Sequence, residues 1–352
     1  MYECIYKNLL NNLNNGNKGV ILTYLNFKDN ISGSIEDKIF LNQDDINNKS
    51  KQLHNDISKK ITTSLLNGTI ETVSINEDKL VLIEPFFPKP RLFIFGGGHI
   101  AKPLVEFASK VGFSITVIDD RPYFANSIRF PDAEKVICED FQKSFDNINF
   151  KENDFVVIIT RGHRHDKLVL SNVLNNNLTY IGMIGSKRRV KGMMEELILE
   201  GYSKETLDKV NSPIGLDIAA ITPEEIAISI VSQLISFKNK GNISKKFSYP
   251  EFDKELFLEV SKTPSIPRAV LTILSSKGSV PRKAGAKMVT YINGQTLGSI
   301  GGGCSEADVL TTARDIMRTD GFLIQKVDMT GDVAESIGMV CGGTMDVLIE
   351  IF

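Results

Sequence analysis

The chain has 352 residues, a net charge of −2, 42% hydrophobic residues and 24% charged residues. That length predicts two or three domains, and the near-neutral balance excludes a nucleic-acid or membrane-surface partner recruited by bulk charge. No apolar run is long enough to span a bilayer, the opening residues carry no signal-peptide pattern, and four scattered cysteines make no disulfide framework, so the expected compartment is the cytoplasm.

Residues 3–13 predict a helix and residues 20–25 a strand, followed by Gly33-Ser34-Ile35, a helix over 46–66, Gly68 and a closing strand over 80–86. The middle of the chain then alternates. Residues 91–95, 113–118, 154–160 and 180–184 are short apolar strands, and residues 101–111, 168–174, 190–200 and 223–237 are helices. The last of these opens with Thr222 as N-cap, Pro223 and Glu224-Glu225. Continuous apolar strands separated by helices predict a doubly wound parallel sheet. A polar stretch over 238–250 leads to a helix over 252–260, a strand over 269–274, a helix over 306–318 and a strand over 345–350.

Val-Leu-Ile-Glu-x-Phe closes both the first segment (Val81 to Phe86) and the last (Val347 to Phe352). The fold class is therefore α/β: a central Rossmann-like doubly wound parallel sheet flanked by two smaller α/β modules that look like a degenerate repeat. Residues 1–88 are the degenerate module and residues 89–240 the nucleotide- or cofactor-binding domain. Residues 241–266 are a linker and helix, and residues 267–352 carry the glycine–cysteine motifs.

Gly96-Gly97-Gly98-His99-Ile100-Ala101 fits G-x-G-x-x-A directly between a strand and a helix. Such a loop lets a pyrophosphate approach the backbone and leaves helix N–H groups for an anion. Asp119 and Asp120 end the next strand, where an acid is expected on a ribose, and Arg121 beside them leaves NAD, NADP or another nucleotide open. Thr160-Arg161-Gly162-His163-Arg164-His165-Asp166 leaves another strand. Arg161 and His163 are candidates for phosphate or substrate contact, with His163 as acid–base group. His163, His165 and Asp166 are the remaining candidates for a metal, although none is expected because no third histidine lies nearby. Gly185, Ser186, Lys187 and Arg188 open a helix with a hydroxyl and cations, an anion site by composition.

In the last domain one cysteine closes Gly301-Gly302-Gly303-Cys304 and the other opens Cys341-Gly342-Gly343, each read as a turn beside a strand. Two thiols wrapped in glycine are either small residues in tight turns or reactive groups against which backbone can come close. Arg282 and Lys283, in Gly278-Ser279-Val280-Pro281-Arg282-Lys283, favour anions and lower a nearby thiol pKa.

These motifs, together with Ile181-Gly182-Met183-Ile184-Gly185-Ser186, Ser212-Pro213-Ile214-Gly215-Leu216 and Thr222-Pro223-Glu224-Glu225-Ile226-Ala227, form a specific set. As a set they resemble the XdhC/CoxI family, accessory proteins that mature xanthine dehydrogenase and related molybdenum hydroxylases. The resemblance covers nearly all of the chain beyond Pro90. That family usually places its cysteine-bearing domain before the Rossmann domain. Here it follows, an order similar to the branch associated with selenium-dependent molybdenum hydroxylases.

The resemblance implies a chain that binds molybdenum cofactor (molybdopterin), supports replacement of an oxo ligand by sulfur or selenium, and delivers the product to an apo-hydroxylase. It makes the chain a maturation factor rather than a turnover enzyme. Cys304 and Cys341 are then the reactive thiols, and the Rossmann loop and the Gly185 to Arg189 segment hold the anionic end. A sulfur donor such as a cysteine desulfurase and assembly as a homodimer are further expectations. The alternative is an NAD(P)-dependent oxidoreductase acting on a small molecule, with His163 or His165 as acid–base group.

Overall fold

A computed structural model describes residues 2–49, 53–240, 247, 249–329 and 342–351, without the side chains of residues 49, 240, 304 and 305. The chain opens with α1 (Tyr2–Asn14), β1 (Gly19–Phe27), β2 (Ser32–Asn42), α2 (Gln43–Lys49), α3 (Asn55–Asn67), β3 (Glu71–Ser74) and β4 (Lys79–Phe86). There follow β5 (Arg91–Phe95), α4 (Ala101–Lys110), β6 (Ser114–Asp119), β7 (Lys135–Cys138), α5 (Phe141–Ser144) and β8 (Phe155–Ile158). Next come α6 (His163–Val173), β9 (Tyr180–Met183), α7 (Lys187–Leu199), α8 (Lys204–Leu207), β10 (Val210–Asn211) and α9 (Pro223–Lys240). The remaining elements are α10 (Lys254–Val260), β11 (Arg268–Lys277), β12 (Lys287–Tyr291), β13 (Thr296–Gly298), α11 (Gly303–Ile316), β14 (Phe322–Asp328) and β15 (Thr344–Ile351). They group into two units, Met1–Pro88 with Phe247–Phe352, and Lys89–Lys246.

In the first unit one nine-stranded sheet runs β13-β12-β11-β15-β14-β2-β1-β4-β3. The two modules have the same internal order, β2-β1-β4-β3 in one and β12-β11-β15-β14 in the other. They join where Phe322 and Leu323 pair with Gly33 and Ser32. Register makes the repeat explicit. Thr23 lies between Lys38 and Leu82, and Thr272 lies between Lys287 and Leu348. Ile21 faces Glu84 as Val270 faces Glu350. One face of each half is covered by its own helix: α3 packs on Val20, Leu22, Val81 and Ile83, and α11 on Leu271, Ile273, Val347 and Ile349. The opposite faces share one core, in which Ile21 and Val270 meet Leu9 and Leu10 of α1 and Leu256 and Phe257 of α10. The period-2 alternation of each strand supplies both cores at once.

That shared core contains charge. Lys38 Nζ lies 2.6 Å from Glu350 Oε1, both side chains fully buried, and Tyr6 Oη is 3.1 Å from the same nitrogen. Lys287 Nζ lies 2.5 Å from Glu84 Oε1 and donates to Thr272 Oγ1 at 2.7 Å. The lysines hold equivalent register positions, as do the acids, and each pair joins one module to the other. A buried ion pair adds little net stability over an apolar pair, but it strongly penalises any arrangement that separates its partners.

The second unit is a six-stranded sheet of order β10-β9-β8-β5-β6-β7, parallel at every pairing. Read from β5 this is the 3-2-1-4-5-6 order of dinucleotide-binding folds, with the crevice where β5 and β8 part. Phe95, Ile158 and Met183 are buried in continuous apolar strands, as expected for a sheet covered on both sides. Thr222 and Glu225 cap α9 reciprocally: Glu225 Oε2 accepts from the N–H groups of Ile221 and Thr222, and Thr222 Oγ1 accepts from Glu225 N–H. Among the described residues, no helix is long and apolar enough to cross a membrane.

Several sequence expectations are corrected. The helix over 46–66 is two helices, because His54 adopts an extended conformation and caps α3 by accepting from Asp56 N–H. Residues 163–166 are not loop but the first turn of α6. The helix expected from 306 begins at Gly303, so Cys304 is helical rather than in a turn. The strand β2 extends well past Gly33-Ser34-Ile35, and the short strands β7 and β10 were not anticipated.

Candidate functional site

In the first unit two glycine-containing segments converge on the loop between β11 and β12, which itself begins with Gly278. A Cβ on Gly343 would stand 2.6 Å from the Lys277 carbonyl oxygen and from Val280 Cγ1, and one on Gly278 would stand 2.8 Å from the Gly342 oxygen. A Cβ on Gly301 would stand 3.1 Å from Pro281 Cγ. The Gly301 to Gly303 turn and the Gly342-Gly343 turn therefore flank the same Gly278 to Arg282 loop, at distances that exclude a Cβ on Gly278 and Gly343 and crowd one on Gly301. Cys304 is the second residue of α11, directly after that first turn. Its side chain and all of Cys341 lie outside the described residues. The other two cysteines, Cys4 and Cys138, are free and exposed.

Glu306 organises this turn. Its Oε2 accepts from Ser299 Oγ at 2.7 Å, Gly302 N–H at 2.9 Å and Ile300 N–H at 3.0 Å, while Ser299 Oγ accepts from Gly301 N–H. Burial works against ionisation of Glu306, but the Ser299 hydroxyl and the N–H groups of Gly302, Ile300 and Gly301 outweigh it and hold the carboxyl below its usual range. The N–H groups of Ile300 and Gly302 are thus engaged by the chain's own carboxylate, and that of Gly301 by Ser299. Beside it lies a cleft of about 230 Å³ lined by Asp253, Phe257, Arg282, Lys287 and Ser299 among others. Arg282 is ion-paired with Glu251 at its rim. Glu306 and Lys287 were missed from sequence. Glu306 carried a readable signal, an acid in the first turn of a helix, whereas the burial of Lys287 carried none.

In the second unit Gly96 has φ +113°, and a Cβ there would stand 2.3 Å from the Ile159 oxygen. Gly97 is closed in by the Phe124 oxygen, 2.0 Å from where its Cβ would be, while Gly98 faces open space. His99 is exposed, Ala101 is buried, and no side chain caps the start of α4. Arg129, which no motif pointed to, donates to the Gly97 oxygen at 3.0 Å and the Gly98 oxygen at 3.1 Å and so fixes the loop. Arg121 and Arg129 both lie over the Phe124 ring.

The two aspartates divide their work. Asp119 is buried; it accepts from Gly97 N–H at 2.8 Å and from the backbone N–H, Nε and Nη2 of Arg121. Burial opposes its charge, but the Arg121 and Gly97 hydrogen bonds keep its carboxyl below the usual range. Asp120 is more accessible and takes both terminal nitrogens of Arg161 at 2.8 Å. On α6, Asp166 is buried and accepts from Thr160 Oγ1 at 2.5 Å; burial pushes its carboxyl up despite that bond and nearby Arg189. His163 Nε2 is 3.9 Å from Glu196, and His165 packs its ring 5.3 Å from Phe141. Among the described residues no group of three His, Cys, Asp or Glu side chains is set to hold a metal ion. Ser186 caps α7 by accepting from Arg189 N–H, which puts Lys187 and Arg188 on its exposed first turn and Gly185 just before it.

Comparison with known proteins agrees with both halves of this picture. Residues 92–234 match the XdhC Rossmann domain, and residues 264–328 match the XdhC and CoxI family. The chain is 32% identical over 173 residues to a probable xanthine dehydrogenase subunit of Bacillus subtilis, covering 49% of this chain and 50% of that protein. It is 28% identical over 165 residues to the uncharacterized protein YqeB of Escherichia coli, covering 46% of this chain and 30% of that one. A crystal structure described as a xanthine dehydrogenase from Bacillus halodurans superposes with a TM-score of 0.50 at 30% identity, covering 66% of this chain and 62% of that chain. The chain thus spans half or less of the length of the two curated relatives.

Proposed function

Because the chain belongs to the XdhC and CoxI family, we propose that it is an accessory protein for a xanthine dehydrogenase-type molybdenum hydroxylase. It binds molybdenum cofactor in the cytoplasm, supports its sulfuration (or selenation) and delivers it to the apo-enzyme. The observation that carries this reading is the convergence of the Gly301 to Gly303 and Gly342-Gly343 turns on the Gly278 to Arg282 loop, at the start of the helix that bears Cys304.

The cargo brings a soft metal, a dithiolene and an anionic end. The Gly96 to Gly98 loop, the α4 start and the Lys187–Arg188 turn of α7 take the anionic end. A Cys304 thiolate takes a sulfane sulfur from the persulfide of a donor of the cysteine desulfurase class, and the donor returns to its thiol. Asp119 is closed to a ribose, its oxygens being occupied by Gly97 and Arg121.

Purified full-length protein is expected to carry molybdenum and a pterin that fluoresces on oxidation, and light scattering of the same preparation reads its assembly as a homodimer. Cys304→Ala should leave the melting curve unchanged and lower activation of the apo-hydroxylase. Full activation by that variant removes Cys304 from the mechanism, and tight NAD(P)H binding with turnover of a small carbonyl compound overturns the reading.

A further inference from the structure

The strand order β6-β5-β8 places Asp120, just after β6, and Arg161, just after β8, on opposite sides of β5. Their bidentate bridge therefore crosses the carboxyl end of β5, where the Gly96 to Gly98 loop leaves the sheet. This is the crevice in which open α/β sheets take their ligands. The pair is reachable from solvent, with Asp120 21% and Arg161 40% exposed. The neighbouring Asp119 is 1% exposed and held by Gly97 and Arg121, so Asp120 is the acid at this strand end that a ligand can reach.

We propose that the Asp120–Arg161 bridge is a latch over the glycine loop, opened by a nucleotide-bearing ligand that exchanges partners with it. The ligand's phosphate replaces the Asp120 carboxylate on the Arg161 guanidinium, whose planar fork fits either group. The ligand's ribose hydroxyls replace the guanidinium on Asp120. After the exchange Arg161 faces the phosphate, and Asp120 keeps hydrogen-bond donors from the diol with Arg121 Nε 3.9 Å from its Oδ1, whereas a ligand lacking either group leaves one partner without its replacement. The latch rests on the reading that the Gly96 to Gly98 loop holds the anionic end of the cargo, and it specifies a nucleotide-tailed cargo at this site.

The test is calorimetric titration of the full chain with inorganic pyrophosphate and with ADP, in wild type, Asp120→Asn and Arg161→Gln, with Arg161→Lys as a variant that keeps charge but not the fork. Asp120→Asn opens the latch and should tighten pyrophosphate binding about fivefold, since a closed state reduces apparent affinity by the fraction that is open. ADP should gain less, because the acceptor for its diol is weakened. Arg161→Gln should weaken both probes, and Arg161→Lys should fall between. Equal pyrophosphate affinity in wild type and Asp120→Asn overturns the latch and leaves the loop as an anion site. Absence of binding for both probes in every folded variant overturns the loop reading and the latch with it.

Discussion

Lys38 of the first module closes on Glu350 of the second at 2.6 Å, and Lys287 of the second closes on Glu84 of the first, so each module completes the buried charge of the other. Removing one partner leaves an uncompensated charge in a dry core. Lys38→Met is expected to destabilise the first unit by about 3–5 kcal/mol. Adding Glu350→Gln should recover most of that loss. Urea unfolding of the single and double variants measures both, and simple additivity would show that the pair is not coupled.

Neighbouring glycines in the Rossmann loop should behave oppositely. A Cβ on Gly97 meets the Phe124 carbonyl oxygen, whereas one on Gly98 meets nothing within 4 Å. Gly97→Ala should lower the melting temperature by several degrees, the signature of roughly 1–3 kcal/mol of overpacking. Gly98→Ala should melt like wild type and yet, on the proposed reading, retain less cargo, because its methyl enters the space proposed for the ligand. Equal melting and equal cofactor content in both variants would remove the loop from binding.

Asp166 gives a pH dependence of known sign. Burial raises its carboxyl pKa in the folded state, with Thr160, Arg189 and His163 pulling against that. The native state then holds the proton more tightly than the unfolded chain, so stability falls as pH rises from about 3.9 through the raised native value. Asp166→Asn keeps the acceptor for Thr160 and abolishes that slope, and should raise the unfolding midpoint at pH 7. An unchanged pH profile of stability would contradict the burial argument.

Glu306 slopes the other way. Its carboxyl is held low by Ser299 and three backbone N–H groups, against burial. The stability it contributes is present above about pH 4.3, its unfolded value, and disappears as pH falls through the lower native value. Glu306→Gln should weaken the protein by about 1–2 kcal/mol at neutral pH and flatten the acid limb. The start of α11 should loosen with it, seen as faster amide exchange at Ile300 and Gly302.

The doubly wound sheet was legible because its strands are continuously apolar and its loops carry glycine where the chain must turn. The repeat was legible from Val-Leu-Ile-Glu-x-Phe, but not its meaning: nothing in local pattern says that Glu84 and Glu350 face inward or that each seeks the other module's lysine. Cys304 was found by its glycines, but the start of its helix was set three residues late, because three glycines suppress a helix signal that the Glu306 cap restores. Asp119 and Asp120 were indistinguishable as neighbours, and the strand's period of two separates a buried loop anchor from an accessible acid. Arg129 reaches the glycine loop from more than thirty residues away, a contact made by folding rather than by spacing.

The join between β14 and β2 also sets a timetable for synthesis. The strand β2 is translated before the whole of Lys89–Lys246, and its partner only afterwards. From the end of β2 at Asn42 to the start of β14 at Phe322, at 5–20 residues per second, that is a wait of roughly 14–56 s. Throughout it β2 presents an open edge, and Glu350 has yet to be made. The inserted parallel sheet has every one of its strands by the end of that interval. On the ribosome, the middle of this protein is finished before its beginning.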